Sequence, residues 1–293
     1  MSMRDLDPPE ELAGHDRGSR LLGNRGFLVS TVSTIVFFGV LTAIVVAAPG
    51  FQVVRESFFD VQAMKESFWG VPSEGLPGIG KAFLLNVKVF LVAEVLILIL
   101  ALVIAVIRQL PGPVFFPFRL VAIIFTDLFR GTPLLLVIYL FGFGLPALGI
   151  QGISTQSVIV YGTVALVLSY SAYVAEVYRA GIESVHASQA ASARSLGLSR
   201  WQSLRYVVLP QAIRRVIPPL LNDFVSLQKD TALLAVLGVI EAARAAQIYA
   251  SYRFNYSSFV VAAFLFILVT IPLARLTDWL IARDRKRRQA AAA

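Results

Sequence analysis

Long apolar runs separated by short charged segments set the pattern of this chain. Each of six runs approaches or exceeds the roughly 20 residues that a helix needs to cross a bilayer. The pattern therefore predicts an all-α integral membrane protein with about six transmembrane helices. The runs cover residues 27–48, 82–107, 120–143, 157–177, 213–240 and 258–281.

Lysine and arginine gather in alternate loops, and this bias sets the expected orientation. Inner loops are enriched in basic residues. On that rule both termini are cytoplasmic, because the basic side holds the final "RDRKRR" and ten or more further arginines, whereas the loop "GLPALGIQGISTQ" opposite has no charge. The outer side is expected to hold only Arg55, Lys65, Lys81, Arg244 and Arg253.

These assignments divide the chain into four parts. They are a cytoplasmic tail (1–26), a first transmembrane helix with an external loop (27–82), a core (83–281) with an inner loop at about 178–211, and a basic cytoplasmic tail (282–293). The external loop contains "VVRESFFDVQAMKESFWGV", whose apolar spacing favours an interfacial helix. An ordinary exposed loop is the alternative.

Composition narrows the possible functions. The 293 residues are 57% hydrophobic and 15% charged, with a mean hydropathy of +0.74, which fits a bilayer better than one soluble core. The net charge of +8 gathers at the ends of apolar runs, so we expect it to set topology and not to bind nucleic acid.

We expect neither a catalytic centre nor a metal site. The chain has no cysteine, and its two histidines, His15 and His186, are far apart in sequence. Gly75, Gly80 and Lys81 fit part of a phosphate-binding loop, but Ala82 stands where a magnesium-binding Ser or Thr is needed. The prediction is a protein that is not an enzyme and binds no cofactor itself.

The inner loop contains two helix signals. Ser188 is expected to cap a short helix, "QAASARSL", and Gly197 to end it in the left-handed conformation. Ser199 and Gln202 form a capping box for a second helix, which Pro210 bends on its way back to the membrane. The small residues of the first helix would let it dock into a partner's groove or, alternatively, pack on its own bundle.

Four blocks of sequence, in order, resemble a known family. They are "FRGTPLL" (129–135), "AYVAEVYRAGIESV" (172–185), "SQAASARSLGLSRWQSLRYVVLPQA" (188–212) and "LQKDTALLAVLGVIE" (227–241). Together they are similar to the polar amino-acid branch of bacterial ABC importer permeases. The third block resembles the coupling loop of that family, although Ala191 stands where the family has glutamate.

The resemblance implies a type-1 ABC importer permease fold in the bacterial cell membrane. The expected partners are a pair of ABC ATPases, which would bind ATP and magnesium, a second permease subunit, identical or related, and an external amino-acid-binding protein. The resemblance places the ATPase contact in the short helix of the inner loop, at Gln189, Ala190, Ala191, Ser192, Ala193, Arg194, Leu196 and Gly197.

Charged residues inside the predicted spans are costly and so are candidates for function. Asp127 and Arg130 share a helix face just before Gly131 and Pro133, which are expected to break the helix. They are predicted to form a polar site or gate, or alternatively an ion pair that fixes packing. The full set of predicted pathway residues is Glu94, Asp127, Arg130, Thr132, Lys229 and Asp230.

An amino acid is a zwitterion, so its site needs charges of both signs, which "DLFR" and "QKD" supply. The predicted function is the permease subunit of an ATP-driven importer for polar amino acids, with glutamate or glutamine favoured because Arg130 and Lys229 enter the pathway. The alternative is an ion- or proton-coupled secondary transporter.

Overall fold

The computed structural model describes the backbone of residues 24–292 and the side chains of residues 26–199 and 201–283. Most of the predicted N-terminal tail therefore lies outside the described residues, as do the side chains of most of the C-terminal tail. The chain divides into two compact units, residues 1–56 and residues 57–293. The first unit contains α1 (Asn24–Ala47) and most of α2 (Phe51–Phe58). In α1, residues 26–47 are apolar and long enough to cross a membrane.

The second unit holds the remaining helices. Its α-helices are α3 (Val61–Trp69), α4 (Ile79–Gln109), α5 (Phe116–Gly131), α6 (Leu134–Ala147), α7 (Val158–Glu183), α8 (Ala187–Ser195), α9 (Arg200–Ser203), α10 (Leu209–Asp230), α11 (Ala242–Arg253) and α12 (Ser257–Ala292). A π-helical stretch, Leu204–Val208, joins α9 to α10, and a 3₁₀ stretch, Thr231–Leu237, follows α10. The described residues contain no strand beyond one isolated bridge, so the all-α prediction is confirmed.

Helix α7 is the centre of the second unit. Its apolar side chains join a buried cluster with α4, α5, α6 and α10, in which Ile97, Ile138, Leu166 and Leu227 are fully enclosed. Small residues bring α10 close: a Cβ built on Gly181 would lie 2.1 Å from Cγ1 of Val216. Side chains borne on α7 therefore reach every neighbouring helix of this cluster.

Two of the predicted spans are bent. Within residues 24–292, four helices, α1, α4, α7 and α12, are long and apolar enough to cross a membrane, and two bent pairs bring the number to as many as six. Helices α5 and α6 meet at 109° across Thr132 and Pro133, which we name the first break. This bend confirms the interruption predicted at this point. Its cause is that Pro133 has no backbone N–H group and so cannot continue the hydrogen bonds of the helix.

The other bend lies beyond α10, not at the two prolines within it. Helix α10 continues through Pro218 and Pro219, and the chain turns by 50° between the 3₁₀ stretch and α11. We name residues 231–241 the second break. Gly238 adopts a left-handed conformation there, with φ of 82°, which suits a residue without a side chain.

The external loop is largely helical, as predicted for part of it. Asp60 caps α3 by accepting hydrogen bonds from the N–H groups of Gln62 and Ala63, at 2.8 and 3.3 Å. At the far end of the loop, Arg253 of α11 donates to Glu74 at 2.9 Å. Helix α3 belongs to the same compact unit as α4 to α12.

Candidate functional site

One face of α7 contacts two of the residues that the sequence placed in the pathway, Arg130 and Asp230. Tyr170, Tyr173 and Glu176 are spaced by three residues and so follow one side of the helix. We name these three the α7 stripe. Each member contacts either Asp230 or Arg130, the two predicted pathway residues with the clearest partners.

Tyr170 contacts Asp230, the acidic residue of the two. Its hydroxyl donates a hydrogen bond of 2.7 Å to Oδ2 of Asp230, the last residue of α10. Asp230 is half-buried, whereas its neighbour Lys229 is exposed. The two lie about 100° apart around the helix and so point in different directions, as expected for adjacent residues.

Tyr173 and Glu176 contact Arg130, the basic residue of the two. The Tyr173 hydroxyl donates to the backbone carbonyl of Arg130 at 3.1 Å, and the Arg130 guanidinium lies 5.9 Å from the Tyr173 ring centre. An Nη of Arg130 lies 3.9 Å from a Glu176 oxygen. Among the described residues no ion pair joins Arg130 to Asp127, which is exposed, so the packing role considered for that pair is not what the geometry shows.

Glu176 is shared among three arginines. Arg108, near the end of α4, donates to it at 2.8 Å, and Nε of Arg179 donates at 3.0 Å. Arg179 also bonds Glu183 one turn later. Hence one carboxylate from α7 links α4, α7 and the end of α5.

The α7 stripe contacts an acidic and a basic residue on two other helices. Tyr170 and Tyr173 lie on consecutive turns, about 4.5 Å apart along the axis of α7, from a rise of 1.5 Å per residue. The carboxylate of Asp230 accepts from the first hydroxyl and the backbone carbonyl of Arg130 from the second. A carboxylate can bind the ammonium group of an amino acid, and a guanidinium can bind its carboxylate.

The other predicted pathway residues have different surroundings. Glu94 is half-buried on α4. Thr132 bonds back to the carbonyl of Leu128 at 2.8 Å and so terminates α5.

A buried polar network surrounds the second break. Asn86 of α4 donates to Oγ1 of Thr231 at 3.1 Å and to Glu241 at 3.0 Å, and it accepts from the N–H of Ala242 at 3.1 Å. Glu241 also accepts from the N–H groups of Ala243 and Arg244, at 2.9 and 2.7 Å, and so caps α11. Asn86 is 2% exposed and Glu241 is 1% exposed.

The inner loop forms the two predicted helices with one correction. The predicted Ser188 cap is wrong. His186 is the capping residue, because it has an extended backbone and its Nδ1 accepts from the N–H of Ser188 at 3.3 Å. Ser188 already lies inside α8 and its hydroxyl contacts the same nitrogen at 2.8 Å.

The end of α8 follows the prediction. Gly197 has φ of 88°, its N–H bonds the carbonyl of Arg194, and the N–H of Leu198 bonds that of Ala193. The capping box is confirmed, since Ser199 and Gln202 exchange hydrogen bonds of 2.9 and 3.2 Å.

The coupling residues predicted in this loop divide by exposure. Ala193 is buried and Ala190 is half-buried, with its carbonyl accepting a bond from Ser203. Leu196, at the tip, is 85% exposed. The remaining predicted residues, Gln189, Ala191, Ser192, Arg194 and Gly197, are also exposed. Leu196 therefore presents an apolar side chain at the end of a well-ordered short helix.

The partners of Arg130 and Asp230 could not be predicted from the sequence. Tyr170, Tyr173 and Glu176 lie within an apolar run, and their three-residue spacing was the available signal. Asn86 gave a weaker signal, as one amide in the long apolar run of α4. Spacing within one helix shows which side chains share a face, but it does not show which helix packs against that face.

A helical bundle with two broken spans, charges inside it and an exposed loop helix fits a polytopic membrane transport protein. Residues 114–286 match the family described as "Binding-protein-dependent transport system inner membrane component". The chain belongs to this family, so it is a multi-pass transport permease subunit with the type-1 ABC importer fold. The secondary-transporter alternative is not supported.

Curated relatives and solved structures agree with this assignment. The chain is 36% identical to the probable glutamine ABC transporter permease protein GlnM of Bacillus subtilis, over 59% of this chain and 79% of the relative. It is 37% identical to the probable amino-acid ABC transporter permease protein PatM of Vibrio harveyi, over 64% and 83%.

Among solved structures, an amino acid ABC transporter crystallised with histidines has a TM-score of 0.64 and 30% identity, over 70% of this chain and 93% of that chain. A bacterial transporter involved in import of the polysaccharide alginate has a TM-score of 0.55 and 15% identity, over 93% and 99%. The second likeness shows the fold alone.

Proposed function

We propose that this chain is the permease subunit of an ATP-driven importer for polar, zwitterionic amino acids, and that Arg130 and Asp230 contact the substrate in transit. The carrying observation is the α7 stripe, in which Tyr170 bonds the Asp230 carboxylate and Tyr173 bonds the Arg130 backbone from consecutive turns of one helix. Arg130 would receive the substrate carboxylate and Asp230 its ammonium group. Glutamine and glutamate are the first candidates, since several relatives are named as glutamine permeases.

The cost of leaving charge in a membrane supports this assignment. Arg130 is 41% exposed at its side chain, and its ionic contact with Glu176 is longer than a hydrogen bond. Charged groups within spans usually face a cavity or a partner. Both features leave N–H groups of Arg130 free for a ligand. Glu94, Asp127, Thr132 and Lys229 remain predicted lining residues of the same pathway.

The energy would come from other subunits. We propose that ATP and magnesium bind to a pair of ABC ATPases, and that α8 docks in a groove of one ATPase with Leu196 as its apolar contact. A pair of ATPases needs two such helices, so a second permease subunit, identical or related, completes the pathway. An external amino-acid-binding protein would deliver the substrate. The loop fits this role because α8 is capped at both ends and presents its tip to solvent.

The site assignment is tested by uptake into liposomes that contain the complete transporter. At saturating loaded binding protein, the rate reports the steps that follow delivery. Charge-assisted hydrogen bonds contribute about 1.5–3 kcal/mol, so Arg130→Gln and Asp230→Asn should each lower uptake about 10- to 100-fold. Arg275→Gln and Asp278→Asn are the matched controls, because this exposed pair lies 3.9 Å apart on α12. Uptake unchanged in either pathway variant would remove that residue from the site.

The proposed orientation has its own test. The chain has no cysteine, so single cysteines report without background. With both termini cytoplasmic, Leu196→Cys should react with an impermeant maleimide only from the inside and Ser251→Cys, exposed on α11, only from the outside. The reverse labelling pattern would overturn the orientation.

A further inference from the structure

The first break leaves a backbone group that α7 satisfies. In a continuous helix the carbonyl of Arg130 would accept from the N–H four residues later, but the turn at Thr132 and Pro133 ends the ladder. The Tyr173 hydroxyl donates to this carbonyl at 3.1 Å. The last turn of α5 is thus tied to α7 at the point where its own hydrogen bonding stops.

Glu176 acts on the side chain of the same residue. Its carboxylate is already bonded by Arg108 at 2.8 Å and by Nε of Arg179 at 3.0 Å. The Arg130 guanidinium lies farther away, at 3.9 Å. At that separation the carboxylate attracts the Arg130 charge while leaving its N–H groups available.

The ring of Tyr173 completes the arrangement. The guanidinium carbon of Arg130 is 5.9 Å from the ring centre, within the range of a cation–π contact. Side chains on two consecutive turns of α7 therefore contact Arg130 at three points: its backbone carbonyl, its positive charge and one face of its guanidinium.

We propose that Tyr173 and Glu176 are positioning residues that hold Arg130 at the first break with its N–H groups free for the substrate carboxylate. The inference rests on the proposed function, because it assigns these residues an effect on transport through Arg130. Arg108 and Arg179 complete the charge balance of Glu176 and have no part in the contact with substrate.

A double-mutant cycle on the complete reconstituted transporter tests the inference. The variants are Glu176→Gln, Arg130→Gln and the two together, and the readouts are uptake rate at saturating binding protein and ATP hydrolysed per amino acid imported. If Glu176 acts through Arg130, Glu176→Gln lowers uptake about 3- to 10-fold alone and by less than about twofold in the Arg130→Gln background. The same loss should raise the ATP hydrolysed per substrate.

Glu183→Gln is the matched control. Glu183 bonds the same Arg179 but is not among the contacts of Arg130, so this variant should keep the uptake of the unmodified chain. If Glu176→Gln fails to fold, Tyr173→Leu in the same cycle tests the ring contact and should show the same non-additivity. Equal losses in both backgrounds would make the α7 residues merely structural and overturn the inference. Full uptake by Arg130→Gln alone would instead defeat the assignment of Arg130, and the inference with it.

Discussion

The two breaks are held by different kinds of contact. At the second break the polar groups of Asn86, Thr231 and Glu241 are buried and hydrogen-bonded to one another or to backbone. At the first break the holding contacts are one hydroxyl bond, one ion pair of 3.9 Å and one cation–π contact of 5.9 Å, around an arginine that is 41% exposed. A buried, fully paired network is costly to open, whereas an exposed charge contact is less so.

Packing strengthens this contrast. The 3₁₀ stretch of the second break packs against two glycines on neighbouring helices: a Cβ on Gly142 would lie 2.3 Å from Leu237, and one on Gly162 would lie 2.9 Å from Leu234. At the first break a Cβ on Gly131 would meet nothing within 4 Å. We therefore expect the second break to be a fixed joint and the first break to be the more deformable of the two.

The largest effect on stability is expected at Glu241. Glu241→Ala removes the cap of α11 and leaves Asn86 and two backbone N–H groups without their acceptor, so the free energy of unfolding should fall by about 2–4 kcal/mol. Thermal denaturation of the purified permease in detergent measures this loss. Glu183→Ala removes an exposed carboxylate and serves as control. If Glu241→Ala melts like the control, the second break is not a fixed joint.

A smaller loss is expected when the glycine packing is filled. Gly142→Val places methyl groups where Leu237 lies, and overpacking of this kind costs about 1–3 kcal/mol. Gly144→Val, on the same helix, meets open space and should melt close to the unmodified chain. Equal melting of the two variants would show that Leu237 can move at little cost.

The smallest stability effect is expected at the first break. Tyr173→Phe keeps the ring and removes one hydrogen bond, so the free energy of unfolding should change by about 1 kcal/mol or less. Uptake should nevertheless fall severalfold, because Arg130 is no longer held at its carbonyl. Tyr139→Phe on α6 is the control, since the contact of Tyr139 is a ring stack with Phe143. A large melting shift with normal uptake would reverse the roles of the two breaks.

Much of the fold could be predicted from the chain. Apolar run length gave the spans, Gly131 and Pro133 gave the first break, and Gly197 with the Ser199–Gln202 box gave the inner loop. These signals are local, because each depends on the conformational limits of a few consecutive residues.

What escaped prediction depends on packing between helices. Helix α10 passes through Pro218 and Pro219, and the turn falls at residues 231–241, where Asn86 and Glu241 accept bonds from backbone N–H groups. Arg130 was paired with Asp127 by helical spacing, whereas its contacts come from Tyr173 and Glu176. His186 replaced Ser188 as a cap because the helix begins two residues earlier, and an imidazole nitrogen can accept the same kind of bond.

ATP-driven uptake by the reconstituted complex tests the central claim most directly. Liposomes containing this chain, its second permease subunit and the ATPase pair are given ATP inside and loaded binding protein outside, with glutamine as the labelled amino acid and other polar amino acids screened in parallel. We expect uptake that requires ATP and binding protein and that Leu196→Asp abolishes, while the permease subunits alone transport nothing. Uptake of a polar amino acid by the permease subunits alone, with no dependence on the ATPase, would contradict it.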